Sequence, residues 1–296
     1  MVRLRRVVPA GSAAVHVKLE WENPTGSMKD RMAVAAFAKA EADGRLRPGD
    51  TVVEYTGGST GASIALVCAA KGYRLRIVTS DAFSAEKRDH MKALGAELVV
   101  LPSEGGLATR ELFDAMIAAA REMSREPHTF WFDQLANPDI PPGYHPLGEE
   151  IWEQTGGDVD AFVQGAGSGA SLRGVAEVLR QRRPGILIAV MEPAESAVLS
   201  GGKAGGHRIE GIGIGRPPPL WDPSLVDRIL PVSSDAAEEM ARRLAREEGL
   251  LAGTSSGGNV VAALRLAEEL GPQATVVTLL VDSGLKYLGT GVYRSG

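Results

Sequence analysis

Lys18-Leu-Glu-Trp-Glu-Asn-Pro-Thr-Gly-Ser-Met-Lys29-Asp-Arg-Met32 decides the fold of this chain. Val15 to Trp21 reads as a strand, and Asn23-Pro24-Thr25-Gly26 as a polar turn. Ser27 then suits the N-cap of a helix, with Asp30 three residues on in a capping-box-like pattern. Lys29 falls in the first helical turn, where the helix dipole disfavours a cation. That placement suits an amine that reacts in its neutral form. On position alone the better reading is a surface lysine that happens to open a helix, because most lysines are solvated.

Outward from this segment, strand-like and helix-like stretches alternate. Strands are expected at Thr51–Tyr55, Leu75–Thr79, Glu97–Leu101, Ala161–Gln164, Ile186–Met191 and Thr275–Val281. Helices are expected at Ala62–Lys71, Ser84–Leu94, Thr109–Arg125, Ser171–Gln181, Ala236–Glu248 and Val260–Leu270. In the helix Ala236–Glu248, Glu238–Arg242 and Glu239–Arg243 have i,i+4 spacing, and Gly249 suits its end. The alternation predicts an α/β protein of two doubly wound domains with mostly parallel sheets.

The chain has 296 residues, 44% hydrophobic and 23% charged, enough for two domains or one large one. A formal net charge of -5, with no basic run interleaved with aromatics, argues against nucleic acid as a partner. The five histidines are scattered away from other ligand types, so no metal site is expected. Cys68, the single cysteine, lies in an apolar helical run and reads as a packed core thiol. One cysteine suits a reducing cytosol, and a cytoplasmic protein is the expectation. No apolar run reaches the length of a membrane span, and the basic start Met1-Val-Arg-Leu-Arg-Arg does not read as a signal peptide.

One local device recurs: glycines and small hydroxyl residues just before a helix. It appears at Thr25–Ser27, Thr56–Gly61, Gly165–Ser171 and Thr254–Gly258. Such loops turn backbone N–H groups toward an anion at the positive end of a helix. Gly165, Gly167 and Ala170 also fit G-x-G-x-x-A, with Glu192 placed where a ribose-binding acid would stand, so a dinucleotide competes with a phosphate monoester at this loop. Ser168 and Ser171 add hydroxyls that suit a terminal phosphate. Residue chemistry alone leaves open which loop takes phosphate and which takes carboxylate.

Lys18-Leu-Glu-x-x-Asn-Pro-x-Gly-Ser-x-Lys29-Asp-Arg resembles the cofactor-lysine motif of the cysteine synthase and cystathionine β-synthase family, pyridoxal-phosphate enzymes of fold type II. The similarity continues through Thr56–Gly61, Gly165–Gly174, Glu192–Gly202, Glu210–Gly213, Met240–Gly249 and Asp282–Leu288, and covers nearly the whole chain in order. The resemblance implies that Lys29 forms the internal aldimine with pyridoxal 5'-phosphate and removes the substrate α-proton. It implies that Gly167, Ser168, Gly169, Ala170 and Ser171 form the phosphate loop, with Gly211 near the reactive carbon. Ser283 matches the hydroxyl at the pyridine nitrogen, which favours β-elimination over transamination, and Asp282 falls to the site wall. Thr56, Gly57, Gly58, Ser59 and Thr60 match the loop that grips the substrate carboxylate, assisted by Gln134.

The match has departures. Gly57 stands where the family has serine, and Ser59 where it has the asparagine that contacts the cofactor's ring hydroxyl. Ala170 and Ser171 replace glycine and threonine, and Gly-Leu-Lys-Tyr replaces Gly-Glu-Arg-Tyr. The usual few residues before Val2-Arg-Leu are missing. The expected activity is β-replacement on an O-activated L-serine, such as O-acetyl-L-serine, through an aminoacrylate, with sulfide or another nucleophile. Serine/threonine dehydration and cystathionine synthesis are rivals on the same fold. An NAD-binding oxidoreductase and a catalytically silent homologue are rivals from other classes. The resemblance further implies a homodimer. It also implies a small mobile domain over 23–132 and a large cofactor-binding domain from 1–22 with 133–296.

Overall fold

The computed structural model describes residues 1–105 and 109–294. The chain divides into two compact units, one formed by Met1–Met28 with Tyr144–Gly296, the other by Lys29–Gly143. These boundaries fall later in the chain than 22/23 and 132/133. Gly143 shows why the segment after Phe132 stays with the second unit: a Cβ there would lie 2.8 Å from Ala35 Cβ, so this backbone packs directly on the helix Lys29–Ala42.

The first unit is built on six strands: β1 (Val2–Arg3), β2 (Ala14–Leu19), β7 (Ala161–Gly165), β8 (Leu187–Pro193), β9 (Arg228–Val232) and β10 (Thr275–Leu280). Their order is β1-β2-β10-β7-β8-β9. Only β1 runs antiparallel to its neighbour. All five residues of β7 and all six of β10 are buried, as expected of central strands in a parallel sheet covered on both faces. Four helices belong here: α5 (His145–Gln154), α6 (Ala170–Arg182), α7 (Ser234–Arg243) and α8 (Thr254–Leu270). Val15, Val17, Val163, Met191, Val260, Leu266 and Leu280 lie in one apolar core.

The second unit has four parallel strands in the order β5-β4-β3-β6. They are β3 (Thr51–Tyr55), β4 (Arg74–Ser80), β5 (Glu97–Leu101) and β6 (Thr129–Trp131). The helices α1 (Lys29–Ala42), α2 (Ser59–Lys71), α3 (Ala85–Ala93) and α4 (Arg110–Met123) complete it. Cys68 is buried in α2, as its apolar run implied, and burial pushes its thiol up to about 12.

Two local expectations are corrected. Helix α1 begins at Lys29, not at Ser27, because Ser27 is drawn into an antiparallel bridge with Asp282 and Met28 N–H donates to Val281 O at 3.0 Å. In the helix after Ser233, neither expected i,i+4 pair forms. Arg208 takes Glu238, Arg242 turns to Glu239, and Arg243 bonds Glu247 within the wider π turn of Leu244–Glu248. Gly249 closes that turn at φ 71, as expected.

Helices α7 and α8 pack at backbone distance. A Cβ on Gly257 would lie 2.0 Å from Ala237 O and 2.8 Å from Ala241 N. Gly257→Ala is therefore expected to destabilise the protein by about 1–3 kcal/mol through overpacking. Urea unfolding of the two proteins checks this, and an unchanged midpoint would contradict the packing.

Candidate functional site

In the first unit, β2, β10 and β7 are neighbours, and their carboxyl ends gather the segments that carry the motifs. Ser27 and Met28 follow β2, Asp282 and Ser283 follow β10, and Gly165–Ser171 follows β7. Ligands of open parallel sheets collect at this end of the strands. Hydrogen bonds lock the segments together. Ser283 N–H donates to Gly26 O at 3.0 Å, Asn259 Oδ1 accepts Gly165 N–H at 2.7 Å, and Asn259 Nδ2 donates to Leu279 O at 3.0 Å.

The loop into α6 has the form of an anion cradle. The first N–H groups of any helix lack intrahelical acceptors. Helices α3, α4 and α7 meet this need with Ser84, Thr109 and Ser233, whose side chains accept backbone N–H groups. At α2, α6 and α8 the N-cap residues are Gly58, Gly169 and Gly253, which have no side chain to cap with, and at α6 Ser168 Oγ accepts the Ala170 N–H at 3.4 Å. Gly169 adopts φ 83, which favours glycine, and a Cβ on Gly167 would lie 2.4 Å from Gly211 O. Gly167, Ser168, Gly169, Ala170 and Ser171 thus bring backbone and small side chains, and nothing bulky, to the start of α6. Gly211, itself at φ 84, lies against this loop.

A run of hydroxyls continues from there. Thr254 Oγ1 accepts the N–H of Glu210 at 3.0 Å, one residue before Gly211. Ser256 Oγ accepts Val281 N–H at 2.9 Å. Between them Ser255 is buried in the first turn of α8. Ser283 is half-buried, pairs with Ala252 in a short bridge, and its Oγ accepts Leu285 N–H at 3.3 Å, capping the next turn. Asp282 Oδ2 accepts the Tyr287 hydroxyl at 2.9 Å, and burial beside this carboxylate holds the phenol well above its ordinary range. Asp282 is thus tied to the turn that follows it.

In the second unit, β3 and its neighbour β6 deliver the other motif residues. Thr56, Gly57 and Gly58 lead from β3 into Ser59 and Thr60, the first residues of α2. Thr56 Oγ1 accepts Gly58 N–H at 3.2 Å. Gln134, just past β6, is fixed on several sides. Its Oε1 accepts the Thr60 hydroxyl at 2.7 Å, and its Nε2 donates to Tyr55 O at 2.8 Å. Its backbone N–H donates to Glu54 Oε2 at 3.1 Å, while Glu54 Oε1 accepts Tyr55 N–H at 2.9 Å. Asp133 takes φ 51 to turn the chain here.

Two residues of this neighbourhood were missed in the sequence. Glu54 is fully buried, and a lone acid inside a strand gives no signal of its partners. Phe83 lies after β4, and a Cβ on Gly57 would sit 2.3 Å from its ring. The ring occupies the space a serine at position 57 would need, which accounts sterically for Gly57. Lys29 opens α1 beside Asp30, whose Oδ1 accepts the Ser63 hydroxyl at 2.6 Å and ties α1 to α2.

The dinucleotide reading loses its acid. Glu192 is buried, and its carboxylate accepts the N–H groups of Leu199 at 2.8 Å and Ser200 at 3.1 Å, together with the Ser200 hydroxyl. It organises its own loop and presents no oxygen for a ribose.

Residues 1–282 match a family described as "Pyridoxal-phosphate dependent enzyme". A cysteine synthase from Staphylococcus aureus is 45% identical over 296 residues, 99% of this chain and 93% of that protein. The crystal structure of a cysteine synthase from Entamoeba histolytica superposes with a TM-score of 0.93 at 36% identity, covering 100% of this chain and 88% of that one. That of an O-acetylserine dependent cystathionine β-synthase from Helicobacter pylori has a TM-score of 0.92 at 33% identity, covering 99% and 94%. The chain belongs to the pyridoxal-phosphate dependent enzyme family. Its two mostly parallel sheets are the fold type II architecture.

The residues present fit that cofactor. The loop into α6 is built of glycines and small residues, a Cβ on Gly167 would lie 2.4 Å from Gly211 O, and hydroxyls of serine and threonine continue from it. In this enzyme Glu54 also makes the second unit sensitive to pH. Burial raises its carboxyl from the ordinary 4.5 to about 8, against the N–H groups of Tyr55, Gln134 and Asp133 that pull it down. A carboxyl with a raised folded pKa holds more protons folded than unfolded between those values. Stability is therefore lost as pH rises from about 4.5 to about 8, and the slope ends above that. Glu54→Gln is expected to flatten this slope in urea midpoints measured across the window. Equal slopes for both proteins would show that Glu54 does not titrate there.

Proposed function

We propose that the enzyme carries out β-replacement on an O-activated L-serine, such as O-acetyl-L-serine, with sulfide as nucleophile, giving L-cysteine. The observation that carries the reading is the open helix start at Gly165–Ser171, in a chain that matches cysteine synthases over its whole length. In this reading the N–H groups and hydroxyls of 167–171 take the cofactor phosphate, by the same electrostatics that place anions at helix N-termini. Lys29 Nζ holds the cofactor covalently and takes the proton from the substrate α-carbon. The N–H groups and hydroxyls of Thr56, Gly57, Gly58, Ser59 and Thr60, with Gln134, receive the substrate carboxylate. When bound, the cofactor would stabilise the negative charge left at the α-carbon, the chemistry that lets a β-substituent leave with its bonding pair and a nucleophile take its place.

We assign the hydroxyl at the ring nitrogen to Ser255 in preference to Ser283. Thr254 bonds Glu210, which precedes Gly211, and Gly211 lies against Gly167, so Ser255 belongs to the same contact chain as the phosphate loop. Ser283 caps a turn instead. A homodimer in the cytoplasm follows from the same family reading.

Borohydride reduction of the purified yellow protein, followed by peptide mapping, is expected to place the cofactor on Lys29. Lys29→Ala should remove both the label and turnover of O-acetyl-L-serine with sulfide, and a variant with turnover intact would overturn the mechanism. Ser255→Ala should shift the visible spectrum of the bound cofactor more than Ser283→Ala. The opposite order would return the role to Ser283. Release of pyruvate from serine without sulfide would favour the dehydratase instead.

A further inference from the structure

Strand β7 reads Ala161-Phe-Val-Gln-Gly165, and its one polar side chain is 1% exposed. A buried amide needs partners to offset its lost hydration. Gln164 meets this only in part. Its Nε2 donates to Ser171 Oγ at 2.6 Å and approaches Met28 Sδ at 3.7 Å, while its Oε1 has no partner among the described residues. The reverse amide orientation would leave both N–H donors without Ser171 and sulfur as acceptors, so the donor side faces the loop. Packing alone does not account for this choice, since leucine would fill similar space without an orphaned carbonyl.

The consequence falls on Ser171. A hydroxyl whose oxygen is held by an amide donor keeps its own proton to give elsewhere. Ser171 lies in the first turn of α6, beside the open N–H groups of that helix. Its proton is thereby directed to an acceptor, adding one oriented donor to the cradle. We propose that Gln164 is a positioning residue for phosphate recognition: it fixes the Ser171 hydroxyl as a donor to the cofactor phosphate. The proposal rests on the pyridoxal-phosphate reading of the loop at 165–171.

The test compares pyridoxal 5'-phosphate with pyridoxal, which lacks the phosphate, by titrating cofactor-stripped protein and following visible absorbance. Gln164→Leu should raise the Kd for pyridoxal 5'-phosphate about 10-fold, the range of one oriented hydrogen bond to a charged group, and leave pyridoxal unchanged. Its thermal midpoint should match or exceed that of the parent protein. Gln164→Glu, which turns the acceptor side toward Ser171 and adds charge, should weaken pyridoxal 5'-phosphate further. In a Ser171→Ala background, Gln164→Leu should have no further effect on the ratio of the two affinities. Equal losses for both ligands, or a loss that persists in the Ser171→Ala background, would overturn the proposal. If the parent protein binds neither ligand, the cofactor reading itself fails, and that outcome is distinct from failure at Gln164.

Discussion

Helix N-termini that begin on glycine caps, at α2, α6 and α8, are the constraint on which this structure depends. A helix start exposes N–H groups that must find acceptors. The N-cap side chains of α3, α4 and α7 accept backbone N–H groups, whereas glycine stands at the N-caps of α2, α6 and α8, and at α6 Ser168 Oγ takes the Ala170 N–H at 3.4 Å. Those three helices begin in the glycine and hydroxyl loops. A helix start at the carboxyl end of a parallel strand favours an anion. A cofactor phosphate and a substrate carboxylate are the anions that β-replacement chemistry brings.

Close backbone approach gives the loops their shape. Gly167 lets Gly211 O approach, Gly57 leaves room for the Phe83 ring, and Gly257 lets α7 lie on α8. Buried polar groups then fix what glycine leaves free. Asn259 pins α8 between β7 and β10, and Glu54 accepts the N–H groups of both Tyr55 and Gln134. The carboxylate-type loop thus draws on a buried acid as well as on glycine, and departures such as Gly57 come with a neighbour that fills the vacated space.

Much of this was legible in the sequence, and for physical reasons. Thr51–Tyr55 and Glu97–Leu101 were read to the residue because β-branched and apolar runs were bounded by breakers. The glycine loops announced themselves because few residues other than glycine satisfy their backbone. Three features hid. Helix α5 contains Pro146 and Gly148, which read as breakers. Proline is tolerated in a first turn, and Gly148 is small because Val178 lies against it. The first turns of α8 looked like a loop because Gly257 and Gly258 serve packing, not flexibility. Strands β6 and β9 are short edge strands with little alternation. The partners of Glu54 and Gln164 are set by tertiary contacts, which no local pattern encodes.

The central claim is that the open start of α6 binds the cofactor phosphate as a dianion. Phosphorus NMR of the cofactor-loaded protein across pH tests it most directly. A phosphate monoester free in water takes up a proton with a pKa of about 6. The account predicts a single resonance whose shift stays at the dianion position as pH falls through that value. A resonance that titrates as the free cofactor does would contradict it.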